Sequence, residues 1–86
     1  MLVIETKSLF DKHYRKLSKQ IKNAAKEKEC VFRENPFHQS LRTHQLHGKE
    51  VGSWAFWINY HYRIKFLFLS DSHILFLDVG PHDFYE

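Results

Sequence analysis

The chain has 86 residues, 43% of them apolar and 16% aromatic, enough for a small core and a single domain spanning residues 1–86. Its net charge of +3, with seven histidines counted as neutral, is a mild basic bias that permits an anionic partner such as RNA without demanding one. One cysteine, Cys30, excludes an internal disulfide or a cysteine-built zinc site. Met1–Lys7 lacks the apolar stretch of a signal peptide, and no run approaches the roughly 20 apolar residues of a membrane span, so a soluble cytoplasmic protein with no membrane partner is expected.

The N-terminal half reads as helical. Leu2-Val3-Ile4 is a short apolar start suited to one strand. Ser8 then precedes Leu9-Phe10-Asp11, a helix cap with Asp in the place of the usual Glu. Leu9, Phe10, Tyr14 and Leu17 follow at helical spacing. Ser18 is placed to cap a second helix with Ile21, Ala24, Ala25, Val31 and Phe32 on its apolar face. Asn35-Pro36 stops it, because a residue before proline avoids the helical region. Lys12, Arg15, Lys16, Lys19, Lys22, Lys26, Lys28 and Arg33 all fall within these helices. The basic charge is therefore local, and a helical hairpin with a basic outer face is predicted.

Pro36 to Lys49 is too polar for a core helix and reads as a loop leading into a short strand. It carries His38, His44 and His47, with five and two residues between them. That spacing is loose for zinc, even with His82 added, and no metal or other cofactor is expected. From Gly52 the period changes to two. Trp54, Phe56 and Ile58 alternate with Ala55, Trp57 and Asn59. After a turn at 59–61, Tyr62, Ile64, Phe66 and Phe68 point one way and Arg63, Lys65, Leu67 and Leu69 the other. Ser70-Asp71-Ser72 makes the next turn, and a third strand, Ile74 to Val79, ends at Gly80-Pro81. Three consecutive strands with short turns predict an antiparallel meander.

These segments, in order, resemble the RelE/ParE toxin superfamily, and within it the RelE/YafQ-like mRNA interferase branch. The likeness runs through Phe10-Asp11-Lys12-His13-Tyr14-Arg15-Lys16-Leu17, Asn35-Pro36-Phe37-His38-Gln39-Ser40-Leu41 and Thr43-His44-Gln45-Leu46-His47-Gly48. It continues in Trp54-Ala55-Phe56, Tyr62-Arg63-Ile64 and Asp78-Val79-Gly80-Pro81-His82-Asp83. No single piece is specific; their order and spacing are. The resemblance implies an α+β fold in which an N-terminal strand and a helical hairpin pack on a twisted antiparallel sheet. It also implies the toxin of a type II toxin–antitoxin system, acting on the ribosome as an endoribonuclease and neutralised by a cognate antitoxin. The antitoxin follows from kinship alone.

Metal-free RNA cleavage lets the 2′-hydroxyl attack the adjacent phosphate, which requires a base, an acid and donors for the charged phosphorane. The resemblance assigns Arg63 to the scissile phosphate, and the alternation places it on the open side of the sheet. The plain alternative is a solvated arginine in a weak salt bridge. His82 matches a family acid or charge stabiliser, and His44 matches the histidine of an H-x-L-x-G motif with Leu46 and Gly48. Tyr85 is a candidate for stacking or phosphate donation, although it comes one position earlier than the family pattern. His61 stands where YafQ-like relatives carry an acid. His47, Lys49, Trp57, His61 and Lys65 are candidate RNA contacts, with Trp57 either stacking a base or covering a second apolar cluster with Leu67, Leu69 and Leu77. Two rivals stay open: a ParE-like toxin that poisons DNA gyrase by binding, and a catalytically degenerate RelE-fold binding protein. The histidine pair favours the nuclease, while His61 and Tyr85 keep the degenerate reading alive.

Overall fold

The computed structural model describes residues 2–82. Strand β1 (Val3–Thr6) leads into helices α1 (Ser8–Arg15) and α2 (Lys19–Glu34), followed by β2 (His44–Gln45), β3 (Trp54–Trp57), β4 (Tyr62–Ser70) and β5 (His73–Pro81). Short 3₁₀ turns at Gln39–Leu41 and Gly48–Glu50 flank β2. The strands form one sheet in the order β1-β5-β4-β3-β2. β2 through β5 are antiparallel neighbours. β1 makes the sheet mixed: it joins the far edge parallel to β5, pairing Val3 with His73 and Thr6 with Phe76. The reason is topological. The hairpin of helices carries the chain across the sheet between β1 and the meander, so β1 and β5 enter the sheet running the same way.

The helices cover one face of this sheet. Ser18 caps α2 as expected, its hydroxyl accepting from the Ile21 amide at 3.2 Å, and Asn35 ends the helix in extended conformation. Ser8 does not cap α1. Lys7 occupies the cap position without a side-chain bond, and Thr6 Oγ1 instead donates to Asp11 Oδ1 at 2.8 Å. Phe32 of α2 is fully buried. Its ring lies 4.7 Å from Phe56, 5.0 Å from Phe66 and 5.8 Å from Phe76, between centroids. Phe10 of α1 reaches Phe76 at 5.3 Å, and Leu41, Ile58, Ile64, Ile74 and Val79 complete the core. Each such side chain contributes about 1.5–3 kcal/mol through removal from water. The outer face of the hairpin carries the basic residues, with Lys12, Arg15, Lys16, Lys19, Lys26 and Arg33 exposed.

One irregularity positions everything that follows. Lys65 pairs with Asp78, but Phe66 pairs with Phe76, so Leu77 is an extra residue in β5. A bulge of this kind bends the strand and shifts its phase. Core-facing residues accordingly pass from Ile74 and Phe76 to Val79. β5 also continues two residues beyond its predicted end, to Gly80 opposite Arg63 and Pro81 opposite Tyr62. Proline is tolerated there because it is the last residue of its strand. Buried Asp78 accepts from the Val79 amide at 2.8 Å and meets His13 Nδ1 of α1 at 2.6 Å, fastening the first helix to the bulged strand. Among the described residues no helix is long and apolar enough to cross a membrane.

Candidate functional site

The face opposite the helices is read off the register. One row runs His44, Ala55, Lys65 across β2, β3 and β4; the next runs Trp57, Arg63, Gly80 across β3, β4 and β5. The β3–β4 turn closes this end of the sheet. Asn59 Oδ1 accepts from the backbone amides of both His61 and Tyr62 at 2.9 Å, a side-chain-built turn of the kind that favours asparagine.

Arg63 departs from its expected position. It lies on the face opposite the helices but does not project into solvent. It is only 5% exposed, and its Nη1 donates to the carbonyls of Asn59 at 2.8 Å, Tyr60 at 2.6 Å and Tyr62 at 3.3 Å. Its guanidinium carbon lies 4.0 Å from the Trp57 ring centroid, and its buried Nε has no hydrogen-bond partner among the described residues. The tight turn aims carbonyls inward, and a weakly hydrated, planar guanidinium satisfies them while stacking on an indole. Trp57 lies on the same face, opposite Arg63. Its ring is half-buried and has cationic neighbours, Arg63 and, at 4.6 Å, Arg42, with Tyr60 edge-on at 5.8 Å.

The bulge in β5 brings two predicted histidines together. The His82 amide donates to the His61 carbonyl at 2.8 Å. The exposed ring of Tyr60 lies 5.2 Å from the His61 ring and 6.2 Å from the His82 ring. Trp57, Tyr60, His61 and His82 therefore form a continuous strip of rings at the end of the sheet, which suits stacking against unpaired bases.

His44 sits on β2, and its Nδ1 lies 2.8 Å from the Arg42 carbonyl oxygen. A carbonyl only accepts, so Nδ1 carries the hydrogen of this contact; in a neutral imidazole the basic nitrogen is then Nε2. The glycine of the H-x-L-x-G motif has a geometric reason. Gly48 has φ +69°, a left-handed conformation that costs glycine little, and it opens the 3₁₀ turn after His47. His47 and Lys49 are both exposed on this turn. Lys65 is not a free RNA contact: its Nζ meets Glu50 Oε2 at 2.7 Å, with both side chains largely buried. Tyr85 lies outside the described residues. Among the described residues no group of three His, Cys, Asp or Glu converges as a metal site.

Three participants escaped sequence reasoning. Tyr60 was lost inside a turn, although a lone aromatic in a polar turn is itself a signal. The His13–Asp78 contact joins residues 65 apart and left no local pattern. Arg42, two residues before His44, sits in a left-handed turn outside β2, where strand alternation says nothing about its direction, so its place over Trp57 left no signal in the sequence.

No protein-family profile matches the chain, and no curated protein matches it. Solved structures do. YafQ from E. coli superposes with a TM-score of 0.77 at 19% identity, covering 95% of this chain and 94% of that one. A YoeB/ParE toxin from Agrobacterium tumefaciens gives 0.76 at 14% identity, covering 95% and 99%. The YoeB–YefM complex from Staphylococcus aureus gives 0.74 at 17%, covering 95% and 98%. The chain has the fold of the RelE-like toxins. In this RelE-like fold the helix-covered face supplies the scaffold, and the Trp57 end of the opposite face holds the histidines and arginines.

Proposed function

We propose that this chain is the toxin of a type II toxin–antitoxin pair and that it cuts messenger RNA on the ribosome without a metal. The observation that carries this reading is His44, its Nδ1 held on the Arg42 carbonyl, on a sheet face that also carries two guanidinium groups at Trp57 and, past the β3–β4 turn, two further histidines. In the reaction, His44 Nε2 removes the proton of a ribose 2′-hydroxyl. The 2′-oxygen bonds to phosphorus, and the bond to the 5′-oxygen breaks. His82 donates a proton to that leaving oxygen, yielding a 2′,3′-cyclic phosphate and a 5′-hydroxyl. Arg63 contributes positive charge from behind Trp57, its geometry fixed before the reaction, which favours the charged phosphorane. The Trp57–Tyr60–His82 strip stacks the bases on either side. His47 and Lys49 meet the strand further along, and Tyr85 takes the role the resemblance gives it.

The partner is an antitoxin protein. The likeness to a toxin solved with its antitoxin, the S. aureus YoeB–YefM complex, supports this. An acidic segment is complementary to the exposed basic face of α1 and α2.

The test is induction of the chain alone, followed by mapping of mRNA 5′ ends. New ends at fixed positions within codons are expected, and His44→Gln or His82→Ala should suppress them by about 10²–10⁴-fold. Growth arrest with intact mRNA and gyrase-linked DNA breaks would replace this reading with a ParE-like one.

A further inference from the structure

Arg42 is the only described non-glycine residue with positive φ, at φ 49° and ψ 42°. A left-handed conformation costs a residue with a Cβ of order 1 kcal/mol or more, and it persists where the surroundings over-determine it. Here those surroundings can be named. The Arg42 amide closes the preceding 3₁₀ turn on Gln39 at 3.3 Å, the Thr43 hydroxyl ties back to the Pro36 carbonyl, and the Arg42 carbonyl receives His44 Nδ1. The side chain leaves this kink exposed and lies over Trp57 at 4.6 Å. Arg63 occupies the same ring at 4.0 Å. Sharing one indole holds two like charges within a Debye length of each other, about 10 Å at 0.1 M salt. Among the described residues neither guanidinium has a carboxylate partner. Such a pair repels itself, and an anion bound beside it relieves the repulsion.

We propose that Arg42, backed by Trp57 and Arg63, binds a phosphodiester of single-stranded RNA and is the solvent-facing guanidinium of this site. This rests on the RNA reading above and extends it to a residue that reading does not use. The division of labour follows from burial. Arg63 spends Nη1 on three carbonyls of its own turn, whereas Arg42 keeps its planar fork for two phosphate oxygens. The same kink gives Arg42 two separable tasks. Its carbonyl sets the His44 tautomer, and its side chain holds the strand.

Glycine separates them, because it takes the left-handed conformation freely and keeps the carbonyl. The experiment measures binding of a fully 2′-O-methylated, uncuttable single-stranded RNA to the purified chain across a salt series. Arg42→Gly is expected to weaken binding about tenfold at low salt and to reduce the slope of log K against log salt by about 0.7, the loss of one phosphate contact. Arg42→Lys should restore most of the slope and less of the affinity. Circular dichroism checks that each variant is folded, and Arg42→Asn, which also tolerates this conformation, repeats the glycine result if the fold is disturbed. Unchanged affinity and slope in Arg42→Gly, with wild-type cleavage of mRNA intact, would overturn this proposal alone. Arg42-dependent binding without any cleavage would support it and overturn the nuclease. A wild-type chain that neither binds nor cuts RNA would overturn both.

Discussion

The two faces of the sheet are built on different rules. The helix-covered face is a matter of periodicity: alternate residues of β3, β4 and the first half of β5 are apolar, and Phe32 inserts among Phe56, Phe66 and Phe76. The opposite face is a matter of turns and exceptions. The Asn59 turn draws Arg63 inward, a left-handed residue sets His44, and a bulge carries His82 to His61. The first face is redundant, since many contacts share the load. The second depends on a few backbone geometries, each with one side chain answering it. A RelE-like scaffold can therefore keep its core while its chemistry is rearranged by small backbone changes.

This contrast breaks in a definite order when stability is measured by urea or thermal unfolding. Phe32→Ala should cost the most, about 3–5 kcal/mol, a large part of what so small a chain has in hand. Arg63→Ala comes next at about 2 kcal/mol, because the part-buried carbonyls of Asn59 and Tyr60 lose a charged donor. It will lower activity as well, so its loss of activity alone does not mark a phosphate ligand. A wild-type midpoint in Arg63→Ala would mean that the turn does not need its guanidinium. His44→Gln should cost about 1 kcal/mol, the bond to the Arg42 carbonyl, while cleavage collapses, a loss of activity out of proportion to the loss of stability.

The smallest effect lies on the core side. Burial, and secondarily the charge of Glu29, raise the Tyr14 hydroxyl above its usual 10.0. The folded chain then keeps this proton after the unfolded chain has lost its own. Stability is unaffected below pH 10 and declines as pH rises beyond it. Tyrosinate absorbance should show one late-titrating phenol, removed by Tyr14→Phe.

Legibility in the sequence followed the same divide. Helix positions, the Ser18 cap, the Asn35 stop and the core alternation of Phe56, Ile64 and Phe66 were all readable, because spacing alone specifies which residues share a face. His44 on a short strand was readable through its motif. What escaped depended on long-range geometry. Alternation put Arg63 on the open face but could not show that the carbonyls of its own turn would hold it there. It missed Leu77 as an extra residue, because a bulge is a property of two paired strands. It also missed the parallel entry of β1, which depends on where the helices take the chain. Lys65 looked like a free cation because Glu50 lies 15 residues away in sequence.

The position of β1 has a consequence for the order of events in folding. β3, β4 and β5 are joined by tight turns and meet as neighbours, whereas Val3 must find His73. Closing a loop of that length costs on the order of 4 kcal/mol in chain entropy before the first contact returns anything. The N-terminal strand is thus the last to join the sheet. Until it does, β5, the strand that carries His82 to its neighbours, is itself an unpaired edge.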